Sequence, residues 1–385
     1  MHSIYLDNNA TTRIDPRVAQ AIHDCHLAGH VNPASQHRMG RQTRRVLEQA
    51  RDTVGRILGC HLSDMQADRI VFTSGGTEAN NLALLGLAGR PPGRIIISAI
   101  EHPSVIEPAE MLLEAGWQLD QLGVDGNGVL QVERLEGLLK SNTALVSVIL
   151  GNHDAGVIEP LAEVTRICAS SGVPVHTDAV QSVGKIPVDV KALGVDLLSL
   201  SAHKFYGPKG VGALYVRKGT PLIPHLTGGG QEFGLRAGTQ NVPYIVGFAE
   251  ALRLTYEERG QRVEHVTPLR DRIIGTVLET IPDSCLTGDM ESRLPQHASF
   301  AFKDVDGNLL LTLLDAAGFA CSSGSACKTG NPEPSEVMNA IGLSREWGLG
   351  SLRVTLGTGT TAEHVESFLS VLPGLVEKAR KLSGS

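Results

Sequence analysis

The sequence predicts an α/β protein: a large unit on a mostly parallel, buried sheet flanked by helices, joined to a smaller α+β unit. Three observations carry that expectation. Short apolar runs alternate with helical patterns between about residues 68 and 217, and the texture changes to strands mixed with surface helices after about residue 250. The length of 385 residues also exceeds what one ordinary core comfortably holds.

The apolar runs are RIVFTS (69–74), RIIISA (94–99), ALVSVIL (144–150), VPVHTD (173–178) and DLLSLSAHK (196–204). Short β-rich runs of this kind suit strands covered on both faces. Glu78–Leu87 and Leu161–Ser171, lying between them, have the apolar spacing of amphipathic helices, so the region reads as βαβ units. In such sheets ligands gather at the carboxyl ends of the strands. Farther on, Val242–Arg259 reads as a long helix, HASFAF (297–302) as a strand and Asn308–Ala317 as a helix. LRVTL (352–356) and Ala362–Leu382 follow as a strand and a final helix. The division expected is 13–250 for the large unit, with 1–12 and 251–385 forming the smaller one.

Composition narrows the function classes. A formal net charge of -7 argues against a nucleic-acid binder, which needs a basic face. No uncharged apolar stretch reaches the roughly 18 residues of a membrane span, and MHSIYLDNNATTR lacks the basic and apolar regions of a signal peptide. The six cysteines are sparse and irregularly spaced, which fits a reduced, cytoplasmic setting better than a disulfide framework.

Five segments carry chemistry. In SLSAHKFYGPKGVG a strand ends at Ser201, Ala202, His203 and Lys204 before a glycine-rich turn, which places an amine where it can form a Schiff base with an aldehyde cofactor. Ser201 and His203 can donate to a phosphate; a plain surface lysine beside a loop is the alternative. VFTSGGTEANN puts Gly75, Gly76 and Thr77 at a helix start, an anion site or simply a helix capped by Ser74 or Thr77. VPVHTDAVQSVGK ends a strand with Asp178, three residues before Gln181. A carboxylate there can keep a pyridine nitrogen protonated, or can cap the next helix. His102, just past another strand, is either a stacking, proton-carrying imidazole or a packed one. FACSSGSACKTGNPEPSEV sets Cys327 in a Gly-, Ser- and Pro-rich loop, beside Lys328, before a helix capped by Ser335. The spacing of Cys321 and Cys327 suits no common zinc site, and Cys321 reads as a small hydrophobe.

Taken in order, YLDNNATT (5–12), NPASQHRMG (32–40), FTSGGTEANN (72–81), EHPSV (101–105), TDAVQSVGK (177–185), SAHKFYGPKGVG (201–212), GGGQEFGLRAGTQN (228–241), SSGSAC (322–327) and GSLRVTLG (350–357) resemble the cysteine desulfurases. These are fold-type I pyridoxal-phosphate enzymes of the class V aminotransferase branch. The SSGSAC loop is similar to that of the subgroup serving iron–sulfur assembly and tRNA thiolation. The resemblance implies a seven-stranded, mostly parallel sheet, pyridoxal 5'-phosphate as cofactor, L-cysteine as substrate, a homodimer and a sulfur-acceptor protein as partner. It implies Lys204 as Schiff-base lysine, Asp178 as partner of the ring nitrogen, Gln181 near the ring hydroxyl and His102 as the stacking, proton-transferring histidine. Gly76, Thr77, Ser201 and His203 match the phosphate cradle, and Thr239 matches the residue that reaches the neighbouring subunit's phosphate. Arg353 resembles the arginine that grips the substrate carboxylate, and Cys327 the cysteine that becomes a persulfide while alanine is released.

Two positions depart from the family pattern. His153, in Asn152-His153-Asp154, stands where the second residue of Asn-Asn-Glu is often found beside the cofactor, which puts the ring electronics in question. Phe233 stands where many relatives have Arg in GGGQERG, so local surface or dimer contacts are expected to differ. Other readings are a C–S lyase that forms pyruvate, a selenocysteine lyase, an aminotransferase and a non-catalytic scaffold. An aminotransferase has no use for the loop thiol, and the intact Lys204, Asp178 and Cys327 speak against a scaffold.

Overall fold

The computed structural model describes residues 3–63, 65, 67–87, 90–324 and 333–383; Cys327 and Lys328 lie outside them. Its strands, in chain order, are β1 (Ile4–Tyr5), β2 (Arg69–Thr73), β3 (Arg94–Ser98), β4 (Gln118–Leu122), β5 (Thr143–Ser147) and β6 (Val175–Asp178), then β7 (Leu197–Ser201), β8 (Gly212–Val216), β9 (Ser284–Leu286), β10 (His297–Phe302), β11 (Phe319–Ala320) and β12 (Ser351–Thr355). The longer helices are α1 (Pro16–Leu27), α2 (Arg38–Ile57), α3 (Gly76–Leu85), α4 (Pro103–Glu114), α5 (Leu161–Ser170), α6 (Val242–Glu257), α7 (Arg259–Thr280), α8 (Gly307–Ala316) and α9 (Ala362–Ser383).

Seven strands form one sheet in the order β2-β8-β7-β6-β5-β3-β4. All neighbours run parallel except β8, which is antiparallel to both β2 and β7. The sheet's strands alternate side chains between two buried layers. Ile70, Phe72, Ile96, Val146, Leu198 and Leu200 face one layer, while Val71, Ile95, Ile97, Leu145 and Leu197 face the other. The first layer includes Val18 of α1, Leu47 and Val54 of α2 and Phe248 of α6; the second includes Leu82 of α3 and Val105 of α4.

A separate core lies around the three-stranded sheet β12-β10-β9. Phe300 and Phe302 of β10 pack there with Ile273 and Val277 of α7, Leu310 of α8 and Phe368 and Leu372 of α9. Leu6 joins this core from the N-terminus, and β1 pairs in parallel with β11. The N-terminal segment is thereby fixed between the two sheets: Asn8 N donates to Thr355 O at 3.2 Å, and Thr12 N to His203 O at 2.9 Å.

The helix expected over Val242–Arg259 is α6, which ends two residues earlier at Glu257; α7, which follows directly, carried no expectation. β4, with mixed polar residues and one buried position, carried no strand signal in the sequence.

Candidate active site

Every segment singled out above for chemistry that falls within the large sheet reaches the same edge, the carboxyl ends of its parallel strands. β2 leads into α3 at Gly76, β3 into His102, β5 into His153, β6 ends at Asp178, and β7 ends at Ser201 before a short turn to Lys204. Asn9, Ala10, Gly76, Thr77, Asn80, His102, His153, Asp178, Gln181, Ser201, His203, Lys204 and Arg353 all line one cavity of about 360 Å³. That is the lower range of ligand pockets, suited to a small cofactor.

Local rules explain each placement. After β7 the chain turns tightly, with Gly207 N donating to Ala202 O at 2.9 Å. A Cβ at Gly207 would stand 2.8 Å from that of Ala202, so only glycine permits the turn that presents Lys204. Lys204 Nζ donates to the carbonyls of Asn9 (2.5 Å) and Ala10 (2.9 Å). Burial, and then the Arg353 guanidinium, lowers this ammonium to about 8, against the pull of Asp178 and Asp7.

Asp178 is buried, with Oδ2 accepting from Asn80 Nδ2 at 2.7 Å and Oδ1 from Val180 N at 2.9 Å. It does cap the following turn, and it lines the cavity as well. Asn80 also donates to Ser104 Oγ at 2.8 Å, which links Asp178 to the histidine above. His102 is the N-cap of α4, followed by Pro103 at the first helical position. Ser104 N donates to His102 Nδ1 at 3.1 Å, so the neutral ring carries its proton on Nε2. Burial lowers the His102 pKa, partly countered by Asp178.

The start of α3 has no side-chain cap, which removes the capping alternative for Ser74 and Thr77. Gly76 leaves no room for a side chain: a Cβ there would lie 2.8 Å from Val180 Cγ2. Gly212, opening β8, serves the same place, since a Cβ there would stand 2.6 Å from the Gly75 carbonyl carbon. With Ser201 and His203 beside them, these free N–H groups form an anion cradle. Burial and three nearby lysines hold His203 neutral, at about 4.

Arg353 projects from β12. Its Nη2 donates to Asp7 Oδ1 at 3.1 Å and its Nη1 to His153 O at 3.2 Å, while Nε is buried without a partner among the described residues. Gln181 lines the cavity with Nε2 donating to Asn9 O at 2.8 Å and Oε1 accepting from Lys185 Nζ at 2.7 Å. Thr239 does not line this cavity; it is exposed on the loop before α6. That loop is anchored by buried Glu232, which pairs with Arg51 at 2.7 Å and accepts from Phe72 N at 2.8 Å. Phe233, half exposed, lays its ring beside the Arg51 and Arg69 guanidiniums at 5.0 and 5.5 Å, a place where another arginine would be repelled. Cys321 packs against the smaller core and burial raises its thiol pKa, as expected of a small hydrophobe.

Sequence reasoning missed Asn9, Asn80 and Ser104. Asn9 accepts from both Lys204 and Gln181 through its carbonyl and takes a hydrogen bond from Gln296 Nε2 at 3.0 Å. The only signal was the polar run DNNATT, quoted above without assigning it a task.

The chain matches the "Aminotransferase class-V" family over residues 4–368. "Cysteine desulfurase IscS" of Dictyoglomus turgidum is 43% identical over 383 residues, covering 99% of this chain and 96% of that one. The chain belongs to the cysteine desulfurases of the class-V aminotransferase family. Among solved structures, a "NIFS-LIKE PROTEIN" is 36% identical with a TM-score of 0.89, covering 98% of this chain and all of that one. SspA, solved in complex with cysteine, is 30% identical with a TM-score of 0.78 over 93% of this chain and 99% of that one. The fold shared with these structures accounts for the mostly parallel sheet.

Proposed function

We propose that the chain removes sulfur from L-cysteine with pyridoxal 5'-phosphate, releasing L-alanine and leaving a persulfide on Cys327. The observation that carries this reading is the convergence of Lys204 Nζ, the Asp178 carboxylate, His102 and Arg353 on one cavity beside an uncapped helix start. The donor set fits the cofactor: an amine with a lowered pKa, a buried carboxylate for a ring nitrogen, and a glycine cradle too close for any Cβ. When bound, pyridoxal phosphate supplies an electron sink that acidifies the Cα–H of an attached amino acid and makes its C–S bond breakable.

The chain's own residues divide the remaining work. Gly76, Thr77, Ser201 and His203 hold the phosphate, Asp178 keeps the ring nitrogen protonated, and Gln181 and His153 border the ring. Arg353 grips the substrate carboxylate with its two-pronged guanidinium. Lys204 removes the α-proton, and His102, through Nε2, carries a proton near the departing sulfur. The Cys327 thiolate attacks that sulfur, forming an S–S bond as the C–S bond breaks. The active unit of this reading is a cytoplasmic homodimer in which exposed Thr239 serves the neighbouring copy's phosphate, with 13–250 as the cofactor-binding domain and 1–12 with 251–385 as the small one. The persulfide passes to an acceptor protein of iron–sulfur assembly or tRNA thiolation.

Incubation with cysteine in the absence of reductant, followed by product identification and mass analysis of the Cys327 peptide, tests the reading. Alanine together with a Cys327 peptide heavier by one sulfur atom is expected. Pyruvate as product, or an unmodified Cys327 peptide, overturns it.

A further inference from the structure

His153 lines the Lys204 cavity and also a neighbouring cavity of about 400 Å³ bordered by Glu101 and Asp154. Its ring meets that of His102 edge to face, with centroids 5.2 Å apart and planes at 69°. One ring nitrogen, Nδ1, is buried with no hydrogen-bond partner among the described residues. Glu107, Glu333 and Glu336 line the second cavity along with Glu101 and Asp154, but the charges that bear most on the His153 ring are those of His102, Arg353 and Lys204. Arg353 Nη1 donates to its carbonyl at 3.2 Å, Asn9 Nδ2 does so at 3.3 Å, and His297 Nε2 lies 3.4 Å from the same oxygen. Lys204 and His102 complete the cationic side. Of the acids, Asp7 is paired with Arg353 and Asp178 is held by Asn80 and Val180 N. Burial raises Asp154 and Glu101 toward their neutral forms.

We propose that His153 is a permanently neutral imidazole with its proton on Nε2, and that it serves the cavity as a fixed hydrogen-bond donor to an anionic oxygen, not as a proton carrier. The inference deepens the pyridoxal-phosphate reading and rests on it. An imidazolium has N–H at both nitrogens, and the Nδ1–H of His153 would be buried with nothing to accept it. The Nδ1–H tautomer of the neutral ring suffers the same fault. A bare buried lone pair is the milder defect, so the Nε2–H tautomer wins. Burial and the surrounding cations act in the same direction.

His102 differs in one contact. Ser104 Oγ stands 2.7 Å from its Nδ1 and can accept if the ring gains a second proton. The two adjacent imidazoles are thus unequal: His102 can titrate, whereas His153 cannot. The ring at this position keeps a donor and adds no ionisation.

Imidazole-¹⁵N labelling of the full chain tests the assignment, the His153 signals being those lost in His153→Asn. In cofactor-free protein the Nε2–H tautomer is expected, unchanged between about pH 6 and about pH 9. An Nδ1–H tautomer, or a protonation step in that range, overturns the proposal independently of whether cofactor binds. Loading pyridoxal phosphate shifts the His153 Nε2 signal if the cofactor supplies the acceptor oxygen. A shift that appears only when alanine is added assigns the acceptor to the substrate carboxylate, and no shift in either arm also overturns it. His153→Leu is expected to weaken the corresponding binding about tenfold, with His153→Asn recovering most of the loss because it keeps a donor. Equal losses in the two variants contradict a donor role.

Discussion

Lys204 must be uncharged to add to an aldehyde, so its pKa sets how fast cofactor-free protein captures pyridoxal phosphate. The fold lowers it from an ordinary 10.5 to about 8, through burial first and Arg353 second. At pH 7.5 that leaves about a quarter of the amine neutral, against about one part in a thousand for an ordinary lysine. The capture rate, followed by the visible absorbance of the adduct and fixed with borohydride, should rise through about pH 8 and level off above it. Arg353→Leu removes a repelling cation and moves the midpoint up; Asp178→Asn removes an attracting anion and moves it down. Stability carries the same sign. Between about 8 and 10.5 the unfolded chain binds more protons at this residue than the folded one, so cofactor-free stability rises with pH across that window. Below the window the buried ammonium costs up to about 3 kcal/mol, which Lys204→Met relieves. A capture rate still climbing tenfold per pH unit near pH 10, or a Lys204→Met variant less stable than the parent at neutral pH, refutes the reasoning.

Other consequences follow from single contacts. Cys327→Ala should keep the bound-cofactor colour and abolish sulfide release under reductant, measured colorimetrically; normal release removes Cys327 from the mechanism. Arg51→Met strands Glu232 in a buried site and is expected to lower unfolding stability by about 3–5 kcal/mol in denaturant titration. Gly212→Ala pushes a Cβ against the Gly75 backbone, so cofactor dissociation should accelerate with the sheet otherwise intact, as read by dialysis and circular dichroism. Because burial lowers the His102 pKa, the ring stays neutral below the ordinary 6.5, and the acid limb of alanine release should fall below that value and disappear in His102→Gln.

The parts of this molecule legible in the sequence are those where one residue type answers one physical demand. The unbroken apolar runs in RIVFT and RIIIS mark strands buried on both faces, and both lie in the large sheet between two apolar layers. Gly76 of the β2–α3 turn and Gly207 of the turn after Lys204 stand where a Cβ would meet a neighbour at 2.8 Å, and both were visible as glycine just past strand ends. Asn9 was not legible, because its contribution is mainly a main-chain carbonyl, which any residue possesses; only the tertiary arrangement brings it beside Lys204 and Gln181. The end of α6 was legible to within two residues, whereas α7 was not, because Gly260, Pro268 and Gly275 interrupt its helical signal.

The charges around the cavity give an argument for its ligand that does not pass through any motif. Lys204, Lys185, His203 and His153 are all shifted toward their neutral forms, and each feels at least one other cation of the group or Arg353. The anions on hand are already engaged, Asp178 by Asn80 and Val180 N and Asp7 by Arg353. A protein gains nothing in stability by gathering buried basic groups whose charged forms are so little compensated, since charging any one is opposed by burial and by the others. Such a gathering makes sense when the missing negative charge arrives with a ligand. A phosphate at the α3 start and a carboxylate on Arg353 would each relieve the repulsion where it is strongest, so this electrostatic surplus and the geometry of the glycine cradle select the same class of molecule: an anionic cofactor first, then an amino acid.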